Sequence, residues 1–527
     1  MSDSSLEIKT LVKRNQISFY ATFFLLTYWW VGFDGITFSD DVFYILAGDS
    51  FWKGTMEVSD YHFSSRWGAY VPAGLIGALF GNDPHTISAI SLISYIAAYF
   101  LLLRLTKEST ALVQMSLWFC TPVYFLHFLT KVYPDSLLVF WTCLVPFAAY
   151  YRFQYPVKAG IFLVLGLFLG FLTKETIIFL APLPILLFFF DRKASDFRLE
   201  FYTTILITGL LLSICYLGYF WISFGDPFYR ISSINAGHYI SEFTYADKGF
   251  WSIFGRLTIL PFQTFVERAY WPWLVFALPG VALGWKNRAS PAFIFSIALS
   301  CLLLGFWFMS STLAFYNPIY LNPRHLIILI PILAFLIGSG WEKWQGSQFW
   351  ELWITGLLVI GVVIAVGMQD WKMAFFNTLL IFPVFLRNHK IQLTFLLPIL
   401  LIPAMYSIFY QQNLKQYNNL IETLSVELKD TDLQNPMYTH SFLDFSKKVL
   451  LPEHPEAQTL LIPLYQFPED SDQFPAKLKV LIYDYYRHAY PEEQVDVDLI
   501  SEWLEKNYEL TAEKKSGNVT VYEYELK

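Results

Sequence analysis

Apolar and polar positions follow two regimes along this chain. From residue 17 to about 410, apolar runs recur, separated by short polar breaks. Runs of roughly 17 to 24 residues cross a hydrocarbon core of about 30 Å as helices. The pattern predicts about 13 spans, at approximately 17–33, 86–104, 111–129, 136–151, 158–173, 176–190, 201–223, 272–285, 291–310, 326–340, 350–368, 374–386 and 391–410. Several are short, which predicts tilt or local bilayer thinning. Two longer breaks, 34–85 and 224–271, read as loops. Within the first, 43–52 and 67–80 are short amphipathic stretches that predict helices lying in the interface. From residue 411 the pattern is that of a water-soluble domain. The stretch 479–485 (KVLIYDY) reads as a buried strand, 497–508 as a helix and 519–526 as an alternating strand. Ser516-Gly517-Asn518 ahead of that last strand is a hairpin turn signal. The expected fold is therefore a polytopic α-helical membrane domain over 1–410 followed by a soluble α/β domain over 411–527.

Composition sharpens the division. The 527 residues are 55% hydrophobic and 15% charged, with mean hydropathy +0.43; a soluble globular chain carries about 25% charged residues. The tail from 411 holds 21 acidic and 11 basic residues, whereas residues 1–410 hold 22 and 25. An acidic tail argues against nucleic-acid binding there. Cys120, Cys143, Cys215 and Cys301 all fall in apolar runs, so they read as small buried side chains rather than loop disulfides or a zinc set. The first apolar run is too long for a signal-peptide core and lacks a small-residue cleavage pattern, so it reads as an uncleaved span.

Orientation follows from Lys and Arg in the short loops. With the N-terminus in the cytoplasm, inner loops carry Arg104 and Lys107, Arg152 and Lys158, Arg192, Lys193 and Arg198, Lys286 and Arg288, Lys343, and Arg387 and Lys390. An odd number of spans then puts the tail outside the cytoplasm.

The spans contain almost no ionisable residues at mid-depth, where a pump or ion-coupled transporter keeps them. The conspicuous charges sit instead at outer span ends: Asp40, Asp41, Arg66, Lys131, Asp135, Lys174, Glu175, Arg256, Arg268, Arg324 and His325. That distribution suits a reaction chamber at the outer interface. Each group also has a plainer reading. Asp40 and Asp41 follow Ser39 at a helix start, where acids favour the first turn; the functional reading is a general base or a ligand for an optional divalent cation. Lys174-Glu175 is either solvated turn polarity or a point charge for a phosphate. Asp135 is either a helix cap or part of the site. Arg324 and His325 are either interfacial anchors or, for Arg324, a bidentate phosphate ligand. No metal-binding histidine pattern, dinucleotide fingerprint or phosphate-loop motif is present.

These motifs, in order, resemble those of the GT-C membrane glycosyltransferases that use polyprenyl-phosphate sugars, a group that includes glycosyltransferase family 39, the protein O-mannosyltransferases and the lipid A aminoarabinose transferase. SDDVFYILAGDSFWKG (39–54) resembles the acidic pair and following helix of the first outer loop, and SSRWGAYVPAGLIGALFG (64–81) its proline-containing continuation, with a single Pro72 where the family often has two. YPDSLLVFW (133–141) and GLFLGFLTKETIIFLAPLPILLFF (166–189) are similar to its Asp-headed span and its Gly-rich span with Thr-Lys. NPRHLIILIPILAFLIG (322–338) is similar to its late Pro-Arg span, with His325 where an aromatic is usual.

The resemblance implies an inverting transferase that moves a sugar from a polyprenyl-phosphate donor to a lipid, glycan or protein acceptor. It implies a multi-pass protein of a bacterial inner membrane, with the chemistry on the extracytoplasmic face. Asp40 would be the base and Asp41 its helper or an optional metal contact; no cofactor is expected. Arg66, Lys131, Lys174 and Arg324 would be the phosphate ligands. Two rivals remain at this stage: a flippase or transporter of lipid-linked glycans, and a non-catalytic scaffold with a partner-binding tail.

Overall fold

The computed structural model describes residues 2–193, 197–237, 244–312, 315–430, 435–452, 458–468 and 473–527. Among them, eight helices are long and apolar enough to cross a membrane, or nine if one bent pair is a single span. The first helix, Ser2–Val31, comes in addition to these. The difference from about 13 has local causes. The expected spans 176–190, 272–285 and 374–386 form helices of 10, 17 and 11 residues, Pro182–Asp191, Tyr270–Lys286 and Trp371–Ile381. The expected straight span 111–129 is Ser109–Cys120 and Val123–Leu129, bent by 69°. Pro122 sits at the break, and proline both lacks an N–H and pushes its predecessor out of helical geometry. That bend carries the chain round to Lys131 and Asp135.

Aromatic packing centres the bundle. Trp118, Trp273, Trp341 and Trp344 are fully buried. The Trp118 and Trp273 rings meet edge-on at 4.9 Å, and the Trp273 indole N–H donates to the Trp118 carbonyl at 2.7 Å. The helices Tyr270–Lys286 and Ile330–Trp344 touch backbone to backbone. A Cβ on Gly280 would lie 2.0 Å from the Leu336 carbonyl oxygen, so only a residue without a side chain permits this approach. The helix Leu199–Phe224 lies at the outside, with Leu206, Ile207, Leu210, Leu211, Ile214 and Ile222 exposed. A helix that is apolar on its exposed face is solvated by lipid rather than water.

Two helices of the first loop, Asp40–Trp52 and Trp67–Phe80, cross at Gly48 and Gly74, where a Cβ on Gly74 would sit 2.2 Å from the Gly48 carbonyl oxygen. Beyond the last span, His389–Lys415, the chain turns at Gln416 (φ +48°) into Tyr417–Glu427. The tail then forms a five-stranded sheet of order β2-β1-β3-β5-β4, with β1 Met437–Thr439, β2 Leu461–Pro463, β3 Lys477–Tyr483, β4 Tyr508–Ser516 and β5 Val519–Leu526. The pairs β1–β2 and β1–β3 are parallel; β3–β5 and β4–β5 are antiparallel. Gly517, at φ +62°, turns the β4–β5 hairpin. One continuous apolar core joins this sheet to the first loop: Ile36, Phe38, Val42 and Tyr44 pack with Leu420, Phe442, Tyr483 and Val519.

Candidate active site

Three acid–base clusters occupy one end of the bundle. The first centres on Arg324, at the start of the 3-10 turn Pro323–Leu329, whose backbone N–H is capped by the Asn322 side chain at 3.0 Å. Its Nη2 donates to Asp40 Oδ2 at 2.7 Å, and its Nε lies 3.5 Å from Asp135 Oδ2. The guanidinium stacks 4.7 Å from the centre of the Tyr133 ring. Asp135, in the first turn of Pro134–Tyr150, also accepts both of its bonds from Lys174, at 2.7 and 2.8 Å. Two acids and two bases therefore alternate as Asp40, Arg324, Asp135, Lys174, so the unit is electrically neutral. Burial pulls the Lys174 ammonium down to about 8 against the attraction of Asp135.

The second cluster starts one residue on. Helix Pro156–Thr173 ends and Lys174 is extended (φ −160°, ψ 144°), so Glu175 points elsewhere. Glu175 accepts from Arg66 Nη2 at 2.8 Å and from Arg230 Nη2 at 2.7 Å. Arg66 also donates to the Tyr44 hydroxyl at 2.8 Å. Burial alone would raise the Glu175 carboxyl, but the two guanidiniums hold it well below the usual range. The third cluster joins Lys131 and Lys415 to Asp34, with Lys131 also donating to the Gly35 carbonyl and Lys415 lying 3.0 Å from Asp34. Here burial lowers Lys131 to about 8, opposed by Asp34.

Asp40 and Asp41 have opposite surroundings. Asp41 is buried, and both of its oxygens are taken: by the Thr37 N–H at 2.6 Å and hydroxyl at 2.7 Å, the Val42 N–H at 3.0 Å and the Ser39 N–H at 3.3 Å. Asp40 is 19% exposed; Arg324 holds Oδ2, while among the described residues Oδ1 has only the Ser39 hydroxyl, at 3.5 Å.

The remaining expected residues are dispersed. Arg256, on Phe250–Thr258, is buried and donates to the Ile319 and Phe306 carbonyls. Arg268 is 43% exposed, lies 3.1 Å from Glu267 and sits 5.7 Å from the centre of the Tyr124 ring. His325 is half-buried next to Arg324. Among the described residues, no group of three or more His, Cys, Asp or Glu is placed to hold a metal ion. Sequence reasoning missed Asp34, Lys415, Arg230, Tyr44 and Tyr133. A carboxylate directly after the first span was a usable signal for Asp34; nothing local marks the others.

No family model matches the chain, and no curated protein matches it. Among solved structures, it is similar to ArnT from Cupriavidus metallidurans bound to undecaprenyl phosphate, with 11% identity and a TM-score of 0.59 over 95% of this chain and 96% of that one. It is similar to the apo state of the same protein, with 12% identity and a TM-score of 0.56 over 94% and 96%. An Archaeoglobus fulgidus oligosaccharyltransferase tethered with an acceptor peptide aligns at 10% identity and a TM-score of 0.46, over 97% and 74%. The architecture that this chain shares with ArnT over nearly its whole length is the GT-C membrane fold.

Proposed function

We propose that this protein is a membrane glycosyltransferase that moves a sugar from a polyprenyl-phosphate donor to an acceptor on the bilayer face bearing Asp40, with inversion at the anomeric carbon. The observation that carries the reading is the state of Asp40: one oxygen anchored by Arg324, the other open, in a charge-balanced chain with Asp135 and Lys174. An anchored carboxylate with a free oxygen is what a general base requires. Asp40 takes the proton of the acceptor as its heteroatom bonds to the anomeric carbon. The bond from that carbon to the phosphate oxygen breaks, and the electron pair leaves on polyprenyl phosphate. Such a reaction develops positive charge on the sugar and negative charge on the leaving group.

Arg268, 43% exposed over the Tyr124 ring, and Arg324 are the groups we assign to that phosphate, as preorganised charge stabilises a leaving anion. Arg66 and Lys131, already neutralised by Glu175 and Asp34, hold the shape of the site in this reading, and Arg256 holds the loop around Ile319. Asp41 becomes a brace for the loop rather than a second reacting acid. The location we assign is a bacterial inner membrane, with the N-terminus cytoplasmic and the tail extracytoplasmic.

The test is incubation of the purified protein with a panel of polyprenyl-phosphate sugars and candidate acceptors, following released polyprenyl phosphate. Release by the wild type that is lost in a normally folded Asp40→Asn protein is expected. No release from any donor, or full activity in Asp40→Asn, overturns the reading.

A further inference from the structure

The segment that delivers Asp40 is held from the soluble tail. Phe38 has φ +57°, a left-handed conformation that a side-chain-bearing residue adopts only when its surroundings impose it. Those surroundings belong to the chain beyond the last span. The buried Phe38 ring is ringed by Phe442 at 5.3 Å, Tyr483 at 5.9 Å, Tyr485 at 6.0 Å and Tyr417 at 6.2 Å. The Tyr490 hydroxyl donates to the Thr37 and Phe38 carbonyls, at 2.9 and 3.1 Å. Lys415 donates to the Ile36 carbonyl at 2.8 Å. Thr37 is the pivot, because its own N–H and hydroxyl bind Asp41. A chain of contacts thus runs from Tyr490 through Thr37 to Asp41, and the next residue back is Asp40.

Tyr490 is itself fixed. Its ring stacks on Phe442 at 4.5 Å, and the Phe442 and Ser441 N–H groups are bound by the buried Glu493 at 3.3 and 3.1 Å. Glu493 in turn is held by His440 Nδ1 at 2.8 Å. Among the described residues, none of these groups is hydrogen-bonded to Asp40, Arg324, Asp135 or Lys174.

We infer that the tail is a positioning clamp, with Tyr490 and Phe38 its two contacts, that sets the loop 34–39 so that Asp40 faces Arg324. The inference rests on the reading of Asp40 as the base. Tyr490→Phe removes one oxygen and keeps the ring stack. We expect the KM for donor to stay within twofold and kcat to fall about tenfold. Amide hydrogen exchange over residues 36–42 quickens while exchange in β3 and β5 is unchanged. Phe38→Gly, which tolerates the positive φ but removes the ring, gives the same pattern. Wild-type exchange over 36–42 in both variants overturns the clamp, as does wild-type kcat despite faster exchange. If the wild type releases polyprenyl phosphate from no donor, the functional reading fails and the exchange arm alone decides the clamp.

A second, independent observation lies at the far ends of three helices, two of which, Pro134–Tyr150 and Pro156–Thr173, lead to Asp135 and Lys174. Helix Pro84–Leu105 is 22 residues long, so Arg104 lies about 30 Å along its axis from the end nearest the site. There, Leu101, Leu144, Phe147, Tyr151, Ala159 and Phe162 line a groove of about 430 Å³. Arg104 and Lys158 stand at it, both exposed, and neither forms an ion pair among the described residues. An apolar slot with two uncompensated cations is complementary to one acyl chain under an anionic headgroup. We propose that it binds an anionic phospholipid of the leaflet opposite the site. The test is native mass spectrometry after reconstitution with phosphatidylethanolamine and phosphatidylglycerol. The double variant Arg104→Gln/Lys158→Gln should retain one phosphatidylglycerol fewer, while Arg288→Gln, which lies over the Phe190 ring, retains the wild-type number. Equal retention in all three, or an equal loss in the Arg288 control, overturns it.

Discussion

The two ends of the helix bundle use charge in contrasting ways. At the Asp40 end, ten charged side chains are committed to one another across long sequence separations: Asp34 with Lys131 and Lys415, Glu175 with Arg66 and Arg230, and the Asp40–Arg324–Asp135–Lys174 chain. At the other end a single buried unit stands out. Arg152 donates twice to Asp191, at 2.6 and 2.8 Å, and Tyr202 adds a third bond at 2.5 Å. Several neighbouring cations there, such as Arg104 and Lys158, are exposed. The first arrangement fixes charges in advance at a defined place, which is what a transition state exploits. The second carries exposed cations of the loops that the sequence pattern assigns to the cytoplasmic side, with one staple under them.

The sharpest way to break this contrast is to remove the open carboxylate. Asp40→Asn keeps size and one acceptor but cannot take a proton. A general base contributes about 10²- to 10⁴-fold, so kcat should fall by that range. The unfolding midpoint should stay near wild type, because Asp40 is partly exposed and Arg324 keeps Asp135 as a partner. Turnover with a fixed donor and thermal unfolding on the same preparation check it.

What the sequence showed and what it hid divide along the same line. The β4–β5 hairpin was legible because Ser516-Gly517-Asn518 and the alternation after it are local signals. Asp135, Lys174 and Arg324 were noticeable because the spans around them hold almost no other ionisable residues. Their partnerships were not, since Arg324 meets Asp40 across 284 positions and Lys174 meets Asp135 across 39. Pairing of buried charges is decided by packing that no local pattern encodes. The same holds for Arg230, which in sequence is one more cation in a loop yet completes the Glu175 clamp. Adjacent acids such as Asp40 and Asp41 look alike in a string; the Thr37, Ser39 and Val42 donors that enclose Asp41, and the partial exposure of Asp40 beside Arg324, are what tell them apart.

The opposite end should respond in the opposite sense. Breaking a buried ion pair by deleting one partner costs about 3–5 kcal/mol, because the other charge is left stranded. Arg152→Ala strands Asp191 and Tyr202, so stability should fall by that order. Turnover per folded molecule and the KM should be unchanged. Denaturant unfolding in detergent, with activity normalised to the folded fraction, separates the two. A loss of kcat matching Asp40→Asn would show the ends to be coupled and remove the distinction.

The smallest effect is also the most diagnostic, because it asks whether the buried cations matter as charges. Lys174 and Lys131 are lowered by burial to about 8 each. For a lysine depressed in the folded state, the unfolded chain binds the extra proton between about 8 and the ordinary lysine value. Stability from these groups therefore rises with pH across that window and is lowest below it. Activity should run the other way, since an uncharged Lys174 no longer balances Asp135 beside Arg324. We expect kcat/KM to decline about tenfold per pH unit above about pH 8 while the unfolding midpoint does not fall with it. Lys174→Arg, whose guanidinium stays charged throughout this range, should move that limb upward. A decline unchanged in Lys174→Arg would assign the limb to another group and leave Lys174 a purely structural partner of Asp135.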